Sequence, residues 1–181
     1  SRNERNIIFS GDLGNSPEPL LNDTESPEGA NYLVMESVYG DRLHEGKAER
    51  LEFLREGIET TRREKGVLLI PSFSIERTQI LLFELKKFIE HGDIEKIPVY
   101  LDAPLAIKLT AIYRKYRAIL NPVAQEQFGD SEDAFSFAGL TLTVDHRDSE
   151  RIHTAPSPKI IIAGAGMSGG GRVRAHDKRY L

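Results

Sequence analysis

A chain of 181 residues with 39% hydrophobic and 29% charged side chains has the make-up of an ordinary globular protein with room for one real core, or one domain plus part of another. It has no cysteine, which excludes disulfides, thiolate metal sites and a cysteine nucleophile and fits a reducing, cytoplasmic setting; no apolar run reaches the eighteen residues of a membrane span. The net charge of −4 hides an asymmetry, since from Arg151 onward six Lys/Arg stand against the single acid Asp177, a local field that attracts anions.

The chain opens on a short strand, "NIIFSGD" (Asn6–Asp12), that ends in a turn. A loop rich in Pro, Asn and Ser leads to a second strand at Asn31–Ser37. Leu51, Leu54 and Ile58 have helical spacing, which predicts a helix over Lys47–Lys65 stopped by Gly66. "VLLIPS" (Val67–Ser72) reads as a buried strand, and the stripe Leu81, Leu82, Leu85, Phe88, Ile89 as a helix over Glu76–Glu90. "PVYLD" (Pro98–Asp102) is a further strand, and Pro104 suits the first turn of the helix after it. Residues 121–138 look irregular; "LTLTV" and "KIIIAG" (Lys159–Gly164) are the last strands.

Strands alternating with helices of this length predict an α/β fold, a mostly parallel sheet flanked by helices. Ligands of such sheets gather at the carboxyl ends of the strands. Here those ends deliver Asp12, Glu36, Ser72, Asp102 and Gly164. Gly164–Gly169 satisfies GxGxxG, the pattern of a Rossmann dinucleotide site, but the strand before it comes last, and the acid expected about twenty residues on would fall beyond the seventeen residues that follow Gly164. What remains is a glycine-rich turn (Gly169, Gly170, Gly171) at a helix start, with Arg172 and Arg174 beside it. That arrangement suits a phosphate, and it equally suits a tight turn packing strand on helix.

Four stretches, "FSGDLGN" (Phe9–Asn15), "MESVYGDRLH" (Met35–His44), "IPSFSIERTQ" (Ile70–Gln79) and "AGAGMSGGGRVRAH" (Ala163–His176), together resemble the β-CASP group of metallo-β-lactamase-fold ribonucleases. The resemblance implies an edge of the metallo-β-lactamase domain over residues 1–30 and a Rossmann-like β-CASP domain over 31–181. It implies a cleft between the two domains that takes single-stranded RNA, or DNA in some members. It makes Asp12 a catalytic carboxylate and metal ligand that bridges two Zn2+ ions, where without it an Asp in Gly-Asp-Leu-Gly is a turn former. Glu36 becomes a supporting carboxylate that orients a ligand histidine, in place of an ordinary strand-end acid. Ser72, Arg77, Gly169, Gly170, Gly171, Arg172 and His176 become candidate substrate contacts. Arg77 as a surface ion pair is the plainer alternative, Phe73 reads as a core residue rather than a base-stacking platform, and His146 and His153 read as surface residues. Tyr39–Arg42 and His44 would shape the cleft wall.

The family's HxHxDH motif is absent, as is any HxH or HxxxH pair. The resemblance therefore implies a piece of a longer zinc-dependent hydrolase, one that binds no metal and cuts no RNA by itself and whose main partner is the missing metallo-β-lactamase domain. No membrane partner is expected, and a homodimer stays open. A non-catalytic RNA-binding or assembly scaffold is the alternative, with a dinucleotide-binding protein behind it.

Overall fold

The computed structural model describes residues 4–14, 16–26, 28–42, 46–128, 133–164 and 170–181. Ile7–Phe9 (β1) and Tyr32–Val34 (β2) pair in parallel, with Ile7 opposite Tyr32. The other described strands are β3 (Val67–Pro71), β4 (Val99–Asp102), β5 (Leu140–Leu142) and β6 (Lys159–Ala163), which form one parallel sheet in the order β3-β6-β4-β5.

β6 comes last in the chain yet lies between β3 and β4, so both its edges are paired and all five of its residues are buried. A β-branched run is what such a doubly covered strand requires. Its residues alternate between two layers. Ile160 and Ile162 join a core with Ile58, Leu82, Phe83, Leu85 and Ala106, while Ile161 and Ala163 join Ile152, Val173 and Tyr180 on the opposite face. The first face is therefore covered by α1 (Lys47–Arg63), α2 (Arg77–His91) and α3 (Pro104–Lys115), the second by α5 (His146–Thr154) and α6 (Val173–Tyr180).

Local chemistry sets the helix ends. The Gly46 amide donates to Glu49 Oε2 at the start of α1. At its end the left-handed residue is Lys65 (φ 52°), one position before the expected glycine stop; the Gly66 amide closes on the Thr61 carbonyl at 2.9 Å. Pro104 opens α3 as predicted.

Two helices depart from the sequence-based expectation. Residues 121–138, read as irregular, contain α4 (Pro122–Phe128), started by Asn121 Oδ1 accepting from the Ala124 amide and by Pro122 in the first turn. Phe128 is buried there edge-on to Phe135, 5.3 Å between ring centres. α5 lies where the sequence shows no helical apolar period; Asp145 Oδ1 caps it by accepting from the Asp148 amide.

The segment between β1 and β2 reaches the main core. Leu20 is fully buried in it, and Asn121 Nδ2 donates to the Glu18 and Leu21 carbonyls, each at 3.0 Å. Since β1 pairs with β2, a division after residue 30 runs between two hydrogen-bonded strands.

Candidate functional site

The first group of strand-end residues stands where β1 and β2 finish. Gly11 takes φ 57°, which lets the chain turn sharply after Ser10. Glu36 Oε1 accepts from the Leu13 amide at 2.6 Å, and the Glu36 amide donates to Ser10 Oγ at 3.1 Å. Glu36 thus clasps the turn on both sides of Asp12, whose carboxylate is exposed. The group Glu36 holds among the described residues is the Leu13 backbone amide. His44 lies outside the described residues.

The second group surrounds the turn after β3. The Ser72 amide donates to the Ala163 carbonyl, which extends the β3–β6 pairing to the mouth of the glycine turn. The Ser72 side chain itself is buried, its hydroxyl hydrogen-bonded with Thr78 Oγ1 at 3.0 Å. Thr78 Oγ1 also reaches the Phe73 carbonyl, Gln79 Nε2 donates to the Ser74 carbonyl at 3.2 Å, and the Arg77 amide donates to the Ile75 carbonyl at 2.8 Å. The last bond closes a γ-turn around Glu76, held at φ 62° and ψ −65°. Such a conformation costs a non-glycine residue on the order of 1–3 kcal/mol and survives where its surroundings dictate it. With its carbonyls tied inward, the turn presents Phe73, Ile75 and Arg77 outward. Phe73, expected in the core, is 44% exposed, and the Arg77 guanidinium lies 5.4 Å from its ring centre.

The third group surrounds Asp102, the last residue of β4. Asp102 is completely buried and accepts from Thr143 Oγ1 (2.7 Å), Ser149 Oγ (2.6 Å), Arg172 Nη1 and His176 Nε2 (2.8 Å). Burial alone would push its carboxyl up; the bonds from His176, Ser149, Thr143 and Arg172 overcome that and hold it well below the usual carboxylate range. The Arg172 guanidinium also donates to the Thr143 and Val144 carbonyls, at 3.0 and 2.8 Å. These bonds correct two expectations. Arg172 is aimed inward, and His176 has no exposed surface to offer a substrate.

The described ends of the glycine turn are pinned together by the Val173 amide donating to the Gly164 carbonyl, 2.9 Å. Gly171 is exposed at φ 67° and Gly170 is half-buried, whereas Gly169 lies outside the described residues. Behind α6 the His153 ring packs 5.1 Å from His176, and 5.9 Å from Tyr180, so His153 is part of an aromatic layer and not a free surface residue. Desolvation, helped by His176, Arg179 and Lys159, pushes the His153 pKa down.

Among the described residues no group of three or more His, Asp or Glu is placed to hold a metal ion. Neither Asp12 nor Glu36 is hydrogen-bonded to the second or third group among the described residues.

Residues 78–181 match the sequence profile of the Beta-Casp domain. This chain belongs to the β-CASP family. It is 34% identical over 178 residues to Ribonuclease TTHA0252 of Thermus thermophilus, an alignment that covers 98% of this chain and 41% of that protein. It is 32% identical over 127 residues to Cleavage and polyadenylation specificity factor subunit 3-I of Arabidopsis thaliana, covering 69% of this chain and 18% of the other. With Endoribonuclease ysh1 of Schizosaccharomyces pombe the identity is 29% over 178 residues, 97% of this chain and 23% of that one. The chain thus spans about two fifths or less of the length of these relatives.

The β-CASP match takes in β4, β5, β6, Asp102 with its four donors, and the glycine turn. That turn therefore belongs to a β-CASP domain and not to a dinucleotide-binding unit. The near-complete alignments with the Thermus and fission-yeast proteins extend the similarity to the segment that carries Asp12, Glu36, Ser72 and Arg77.

Proposed function

We propose that this β-CASP chain is the RNA-facing part of a zinc-dependent ribonuclease that hydrolyses phosphodiester bonds in single-stranded RNA. The observation that carries the reading is a juxtaposition at the carboxyl ends of β3 and β6. There the exposed Arg77 stands on a backbone-locked turn whose Ser72 amide is bonded to Ala163, the last residue of β6 before the glycine-rich segment, and Gly171 at the far end of that segment is exposed. A cation beside glycine amides suits a phosphate chain. The names of the relatives, ribonuclease and endoribonuclease, support the same substrate.

In this reading Arg77 and the amides of Gly169, Gly170 and Gly171 contact phosphates. Ser72, Arg172 and His176 act one layer back, holding those groups in place through the bonds described above. Asp12 supplies one ligand to a zinc centre completed elsewhere in a longer protein, and Glu36 keeps its turn rigid. Zinc there would activate water and stabilise charge on phosphorus. The chain by itself then binds RNA without cutting it.

The test is titration of a labelled single-stranded oligoribonucleotide at several salt concentrations. Binding should weaken as salt rises, and Arg77→Ala should weaken it roughly uniformly across sequences and lower the salt slope by about one. In the longer protein Asp12→Ala should abolish cleavage and leave binding intact. A longer protein that binds RNA but never cleaves it would establish the scaffold reading instead.

A further inference from the structure

We propose that Phe73, held by Arg77, is a stacking platform for one unpaired nucleobase beside the phosphate track. This deepens the interface reading above and rests on it.

Phe73 differs from the other aromatic rings that line the sheet. Phe83 and Phe135 are buried, whereas Phe73 is 44% exposed at the carboxyl edge, two residues beyond the end of β3. Exposed phenylalanines on loose loops are common, but this one sits on a turn with no slack. Its own carbonyl is held by Thr78, the next by Gln79 and the third by the Arg77 amide. The γ-turn at Glu76 (φ 62°) is what brings Arg77 back over the ring, 5.4 Å from its centre. A strained residue that sets up an exposed aromatic–cation pair points to a ligand that uses both.

The chemistry of that ligand follows from the pair. The flat apolar ring offers van der Waals and π contact to another flat ring. The guanidinium adds a positive charge over one face of it, and the Ser72 amide ties the turn to Ala163 at the end of β6. A flat group carried on an anionic chain meets both conditions, and a nucleobase of single-stranded nucleic acid is such a group. In a duplex the base faces are occupied by neighbouring bases, so pairing should abolish the contact.

The chain contains no tryptophan, so Phe73→Trp would place a single indole reporter in this turn. Its fluorescence should be quenched by a single-stranded oligoribonucleotide of about ten nucleotides. An abasic strand of the same charge, the matching duplex and inorganic phosphate should leave it unchanged. Phe73→Ala, checked for an unaltered thermal melt, should lower affinity for the single strand roughly tenfold, with Phe73→Trp restoring it. Equal quenching by the abasic strand would show charge acting alone and overturn the platform. So would oligonucleotide binding, seen by anisotropy, that leaves the indole signal and the Phe73→Ala affinity unchanged; Arg77→Ala would still test the interface in that case. If the wild-type chain binds no single-stranded RNA, the interface reading fails and the platform with it.

Discussion

Asp102 shows how one residue can decide the orientation of several others. A carboxylate with no exposed surface needs donors for both oxygens, and it recruits two hydroxyls, a guanidinium and an imidazole from three separate segments of chain. Removing one side of a buried charge pair costs about 3–5 kcal/mol, and the partial exposure of Arg172 argues for the lower end. Urea unfolding at pH 7 should therefore show Asp102→Ala destabilised by about 3 kcal/mol, with Asp102→Asn losing less because the amide oxygen still accepts from a hydroxyl. The folded carboxyl titrates below its ordinary value of 3.8, so on acidification the unfolded chain takes up the proton first. This stabilisation is complete above that pH and drains away below it. In acid unfolding Asp102→Asn should flatten that part of the curve. An acid at the end of a buried strand was visible in "PVYLD", but its partners were not, because Thr143, Ser149, Arg172 and His176 lie 41 to 74 residues away.

At the scale of elements, the layer made by α5, α6 and the start of β6 is held by polar contacts within an apolar setting. Lys159, almost fully buried, donates to the Ile152 and Ala155 carbonyls at 2.6 and 2.7 Å, which satisfies the end of α5 and places a cation where the helix dipole favours it. His153 packs into the same layer with its pKa pushed down. Below its ordinary value of 6.5 the unfolded chain binds a proton that the folded chain resists, so stability falls as the solution is acidified from pH 7 toward pH 5. His153→Phe keeps a ring in the layer and should lose less stability over that interval, as read from urea midpoints at the two pH values. α1, α2 and α3 were legible because each carries a long apolar stripe. α5 was not, because its nine residues bury only Ser149 and Ile152, too few to mark a period. α4 did carry a signal in Asn121-Pro122, an N-cap followed by proline at the first helical position.

At the scale of the whole molecule, the two-stranded unit and the four-stranded sheet are joined through the loop between β1 and β2. Leu20 reaches the core shared by α2 and α3, and Asn121 holds the neighbouring carbonyls. Leu20→Ala should cost about 2–5 kcal/mol in thermal or urea unfolding, as for other fully buried leucines. The same variant should speed proteolysis within the loop between β1 and β2 if that loop holds the unit in place. The order β3-β6-β4-β5 also brings Ser72 beside Ala163, and so ties the turn that carries Phe73 and Arg77 to the end of β6.

The amino-acid sequence by itself determined the α/β class, the parallel strands, the buried run at Ile160–Ile162 and the motifs of the β-CASP family. Periodicity and turn chemistry act over a few residues, and they are written locally. Only the tertiary structure decided which way the candidate side chains point. Whether Arg172 faces a phosphate or Asp102, and whether Phe73 is core or surface, depends on which distant groups the fold brings within hydrogen-bond or van der Waals reach. Such partners compete in three dimensions, and no local spacing records the outcome.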